Sequence, residues 1–94
     1  MTVPVRLPAA LRPLADGQAV IQVDVGATSD VAAVIDRLSR SHPALERRLR
    51  DEQGQLRPHV NVFVGSDNIK DLDNFATTVA DGTEVSIIPA ISGG

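Results

Sequence analysis

Gly93 and Gly94 close the sequence, and the chemistry they suggest belongs to a backbone carboxylate rather than to a side chain. Glycine lacks a Cβ and accepts dihedrals closed to other residues, so a glycine pair can enter a channel too narrow for anything larger. A carboxylate presented on such a thread can be activated as an acyl-adenylate and passed to a nucleophile. On the residues alone two readings stand side by side: a reactive thread, or an idle end such as frayed termini and expression scars provide. No other grouping competes for chemistry. His42 and His59 lie far apart in sequence without partners at metal-ligand spacing, so both read as structural or surface residues and no metal is expected. No Ser/His/Asp arrangement stands out, no glycine-rich phosphate loop is present, and no residue is assigned a catalytic role.

The composition narrows the field. Ninety-four residues, 43% of them hydrophobic and 22% charged, suit one globular domain with a single core. A net charge of −3 gives no electrostatic footprint for nucleic acid. Phe63 and Phe75 are the only aromatics, too few to make a stacking platform for single strands. Cysteine is absent, which removes disulfides and thiolate metal sites. Any sulfur chemistry would need something other than a side-chain thiol. The first residues lack the basic stretch and apolar run of a signal peptide, and no apolar segment is long enough to span a membrane. The expectation is a soluble, cytoplasmic protein with no membrane partner.

The elements that would position the glycine pair can be read from periodicity. Val3, Val5 and Leu7 alternate with polar or special residues and predict a strand, with Pro4 near its start or an edge. Ile21, Val23 and Val25 predict a second strand, joined to the first by a long connection through Pro8, Pro13 and Asp16-Gly17. Thr28-Ser29-Asp30 is a helix-start signal. Val31, Val34, Ile35 and Leu38 then form one apolar stripe on a helix running to about Arg40. Pro43 opens a second helical turn with Leu45 and Leu49 inward and Arg47, Arg48 and Arg50 outward, the arginines read as a solvated face. Asp51 to Pro58 is a loop. Val60, Val62 and Val64 predict a strand, Gly65 to Asn68 a turn, and Ile69 the start of a very short strand. Asp81-Gly82 turns the chain into a last strand with Val85 and Ile87 inward and Glu84, Ser86 and Ile88 outward, ended by Pro89. A mixed sheet with the helix across one face buries every one of these stripes, an α+β arrangement.

This order resembles the β-grasp fold of ubiquitin and of the bacterial ThiS/MoaD-type sulfur carriers. Leu7-Pro8-Ala9-Ala10-Leu11-Arg12-Pro13-Leu14-Ala15-Asp16-Gly17 is similar to the carriers' segment after the first strand. The run from Thr78 to Gly94 is similar to their ending: Asp81-Gly82, a charged residue, a valine-rich strand, a proline, then Gly-Gly. Within the family the chain is most similar to actinobacterial members that carry sulfur for cysteine synthesis. Two departures, Pro89-Ala90 where a proline pair is usual and a longer loop at 51–58, weigh more against a molybdopterin role than against the carrier role. The resemblance implies a β-grasp domain over 1–90 and a flexible tail over 91–94.

It also implies the chemistry. A ubiquitin-activating-type adenylating and sulfurtransferase enzyme would use ATP to adenylate Gly94 and convert it to a thiocarboxylate, with Gly93, Ser92 and Ile91 threading into the partner's active site. The carrier itself would bind no cofactor. In the cysteine route a PLP-dependent cysteine synthase supplies the acceptor and a metallopeptidase releases the product. Thiazole, molybdopterin and tRNA thiolation use similar carriers, and a ubiquitin-like modifier would instead conjugate Gly94 to protein lysines. Lys70 is the only lysine of the chain itself, which favours a carrier over a chain-forming modifier. Because the third and last long strands are neighbours in a β-grasp sheet, Phe63 and Ile88 would form one exposed apolar patch leading into the tail, a candidate docking surface. Single exposed apolar residues are also common without function.

Overall fold

The alternation of Val3 and Val5 with Thr2, Pro4 and Arg6 is realised as strand β1 (Thr2–Arg6), whose valines are fully buried. Strand β2 (Val20–Asp24) pairs with it antiparallel from Thr2↔Asp24 to Arg6↔Val20. The long connection between them winds into a 3-10 segment over Ala9–Ala15 that buries Leu11 and Ala15 and accommodates Pro13. The structure, a computed structural model, describes residues 1–27 and 29–89 of the chain. Ile91, Ser92, Gly93 and Gly94, and with them the expected boundary between 1–90 and 91–94, lie outside the described residues.

Helix α1 (Val31–Ser41) begins where the Asp30 carboxylate accepts a 2.9 Å bond from the Ala33 amide, satisfying one of the free donors of the first turn. Its stripe of Val31, Val34, Ile35 and Leu38 is buried to the last atom, and each such aliphatic side chain contributes about 1.5–3 kcal/mol when withdrawn from water. Asp30 also belongs to a two-residue strand β3 (Ser29–Asp30), paired with β6 (Thr78–Val79) further along the chain. That small ladder ties the start of the helix to the segment before the last turn. Helix α2 (Pro43–Leu49) follows with Pro43 in its first turn and Leu45 and Leu49 in the core.

Strand β4 (Val60–Val64) carries the third alternation, and β7 (Val85–Pro89) the last. β7 runs parallel to β1, with Val5 opposite Val85, and antiparallel to β4, from Val60↔Pro89 to Val64↔Val85. A short β5 (Asp67–Asn68) completes the order β2-β1-β7-β4-β5. The short strand ends before Ile69, which instead opens a 3-10 turn whose Lys70 amide donates to the Asn68 side chain at 3.0 Å. α1 lies across one face of this mixed sheet, and the architecture is the ubiquitin-like β-grasp. The parallel β1–β7 contact is possible because the helical crossover supplies the length that parallel strands need between them.

The outward reading of Arg50 is corrected. Its side chain is 13% exposed and bonds Asp36 of α1 at 2.6 Å and Glu46 of α2 at 2.8 Å. It closes the angle between the two helices, while Arg47 and Arg48 remain exposed. Spacing along one helix could not show this, because one of its partners is on the other.

Candidate functional site

The site is built around the end of β7. Asp81-Gly82 makes the turn into the strand, and Gly82 sits at φ +82°, a region where a Cβ is strained. The strand then runs through the middle of the sheet with β1 on one side and β4 on the other. Pro89 is its last residue, paired with Val60, and in the sequence Ala90-Ile91-Ser92-Gly93-Gly94 follows directly. In the sequence, the residues expected to carry chemistry thus follow a strand that is paired on both sides.

Beside this end, the outward face of the sheet bears the expected patch in altered form. Ile88 is 48% exposed, as anticipated. Phe63 lies on the same face but is half-buried rather than exposed. The register places Phe63 opposite Ser86 and Ile88 opposite Asn61, so the two apolar residues are diagonal neighbours, about 7–8 Å apart. They share a face without forming one continuous exposed surface.

The same face holds polar contacts that the sequence reading missed. Arg6 of β1 donates to Glu84 at the start of β7, Nε to Oε1 at 2.9 Å. Glu84 also accepts from the Ser86 hydroxyl at 3.1 Å. The bond from Arg6, opposed by desolvation and aided by the Ser86 hydroxyl and the Arg6 charge, holds the Glu84 carboxyl below its ordinary range. Both residues are in the outward phase of their strands, so the pairing was available to anyone who placed β1 beside β7. On the far side of the patch Lys70 Nζ donates to the carbonyl of Pro58 and to Asn61 Oδ1, each at 3.3 Å, and Asn68 Nδ2 donates to the same Asn61 oxygen. The sole lysine is therefore engaged at the rim of the face.

The histidines are placed apart. His42 caps the junction of α1 and α2, donating its amide to Leu38 O at 2.9 Å, and its Nδ1 is buried with no hydrogen-bond partner among the described residues. His59 is exposed in the turn before β4. Among the described residues no group of three or more His, Cys, Asp or Glu is gathered to hold a metal. No helix among them is long and apolar enough to cross a membrane.

A sheet whose central strand ends beside a semi-exposed apolar residue, with a helix packed behind it, defines a ubiquitin-like protein of the β-grasp class. The ThiS family model matches residues 5–94, and the chain belongs to that family. It is similar to the sulfur carrier protein CysO of Mycobacterium tuberculosis, 36% identical with the whole of both chains covered. Among solved structures it is similar to small archaeal modifier protein 1 from Haloferax volcanii, at TM-score 0.86, 31% identity and full coverage of both chains. It is likewise similar to a chain in the Amycolatopsis orientalis BexX/CysO complex, at TM-score 0.87 and 27% identity, covering 98% of this chain and 99% of that one.

Proposed function

We propose that this chain is a sulfur carrier for cysteine biosynthesis, with the backbone carboxylate of Gly94 as its working group. The observation that carries the reading is the reach of the similarity: the family match runs through Gly94, and the CysO alignment covers both chains whole. A carboxylate oxygen of Gly94 attacks the α-phosphorus of ATP on a ubiquitin-activating-type enzyme and pyrophosphate leaves. A sulfide equivalent then attacks the acyl carbon, AMP leaves, and a thiocarboxylate remains. The protein is a handle, and the enzyme supplies electrostatics and orientation. Gly93, Ser92 and Ile91 make a thread for the enzyme's channel, the sheet face that bears exposed Ile88 and half-buried Phe63 is the docking side, and the chain needs no cofactor of its own. A PLP-dependent cysteine synthase takes the sulfur, and a metallopeptidase frees the product and restores the carboxylate. All of this takes place in the cytoplasm.

The similarity to small archaeal modifier protein 1 favours a second reading, in which Gly94 forms an isopeptide bond to lysines of other proteins. Intact-mass measurement of the protein from its native cells separates the two. Exchange of one terminal oxygen for sulfur is expected for the carrier, and a series of high-mass conjugates for the modifier. Removal of Gly94 is expected to abolish ATP–pyrophosphate exchange with no change in melting temperature. Exchange that survives the deletion would refute both readings.

A further inference from the structure

At the foot of the tail, on the end of the sheet rather than its outward face, lies a cleft of about 170 Å³. Leu11, Val60 and Ile87 supply an apolar floor, and Pro89, the last described residue of β7, forms one wall. Arg48 of α2 and His59 of the turn before β4 stand at its rim, both exposed. Among the described residues neither has an ion-pair partner, in contrast to Arg6 and Arg50. Among the described residues no acidic one lines the cleft. Arg48 makes it a positively charged window on a chain whose net charge is −3.

The fold assembles this window from three separate places. The 3-10 segment Ala9–Ala15 packs against α2, which brings Ala10 and Leu11 beside Arg48. The pairing of Val60 with Pro89 sets His59 next to the root of the tail. Leu11 belongs to the Leu-Arg run after the first strand, and the two residues divide their work. Arg12 turns back to bond the Leu7 carbonyl at 3.2 Å, while Leu11 faces core and cleft.

We infer that this cleft docks an acidic lip of the activating enzyme's tail channel, an apolar side chain resting over Leu11 and Ile87 and a carboxylate set between Arg48 and His59. The inference rests on the carrier reading. Charge complementarity commits the occupant. An acidic surface approaching an acidic chain is repelled except where a cation faces it, so Arg48, with the His59 ring beside it as a hydrogen-bond donor, favours one orientation at the root of the tail. Its position also suits a channel mouth, since whatever swallows the tail must close around the residue from which the tail departs.

The test pairs the purified chain with the adenylating enzyme that supports ATP–pyrophosphate exchange with it. Arg48→Glu is expected to raise the KM for the carrier about fivefold, the scale of one exposed ion pair made and then reversed, and His59→Glu to raise it less, by setting a like charge against the enzyme's carboxylate. kcat and melting temperature are expected to stay the same, Arg48→Lys to retain most of the affinity, and added salt to weaken the wild type more than the variants. An unchanged KM in both glutamate variants overturns the docking proposal and leaves the carrier reading standing, provided that the chain lacking Gly94 is inactive. A lowered KM would mean that the window holds the chain's own tail, and overturns it too. Failure of the wild-type chain to support exchange with any adenylating enzyme of its own cells would remove the carrier reading and this proposal together.

Discussion

Arg50 shows how much one side chain can hold. Its guanidinium spans Asp36 and Glu46, and Glu46 also accepts from the Ser39 hydroxyl, so one cation organises groups from both helices. The hydrogen bond from Arg50 holds the Glu46 carboxyl below its ordinary range, opposed by burial and aided by Ser39. Burial works against the Arg50 charge, but its bonds to Glu46 and Asp36 raise its pKa overall. Because the Glu46 pKa is lower folded than unfolded, its contribution is complete above the ordinary carboxylate range and fades as pH falls through the folded value. Arg50→Ala is expected to cost about 1 kcal/mol at neutral pH, a figure already reduced for the partial exposure of both acids. Urea denaturation should show the gap between variant and wild type narrowing as the solution is taken well below pH 4. At this scale the sequence was least legible. Arg50 looked like its neighbours Arg47 and Arg48, and only the approach of α1 distinguishes it. Phe63 was read by strand phase, which gave its face correctly but could not give its depth.

Among the elements, those with long apolar periods were plain from the outset. Val31, Val34, Ile35 and Leu38 defined α1, and the valine alternations defined β1, β4 and β7. What stayed hidden were the short pieces. The two-residue strands β3 and β6 have no period to detect, and the 3-10 segment over Ala9–Ala15 was masked by its prolines. Their pairing is decided by the packing of elements that are far apart in the chain. The helix start was visible in the Thr28-Ser29-Asp30 triplet, and Asp30 is the residue that caps. Asp30→Ala is therefore expected to destabilise the fold by about 1 kcal/mol, and Asp30→Asn much less, as chemical denaturation would show. An alanine variant as stable as wild type would mean that the β3–β6 ladder alone holds the helix start.

For the molecule as a whole, one face of the sheet is committed to the core and the other carries Ile88, Phe63, the Arg6–Glu84 pair and the engaged Lys70. The glycine-ended segment was legible as a motif, and its neighbourhood only in part, since the contacts of Arg6, Glu84 and Lys70 depend on strand order. The difference in depth between the two apolar residues decides how the proposed docking face should be probed. Ile88→Asp is expected to raise the KM for the adenylating enzyme several-fold while the melting temperature holds. Phe63→Asp would place a charge in a half-buried position and is expected to lower the melting temperature as well. Equal, wild-type exchange kinetics in the Ile88 variant would remove this face from the docking reaction.

The parallel pairing of β1 with β7 has a mechanical side. A strand lying between two neighbours cannot be peeled away one bond at a time when it is tugged along its own axis. The bonds on both sides must slide together, and the Arg6–Glu84 clasp near the start of the strand loads along with them. A partner that grips the glycine end and hauls on it therefore pulls against a strand loaded in shear. On the carrier reading, the sheet would act as a cleat, letting the end be drawn deep into an enzyme, and released again, with the body of the protein staying whole.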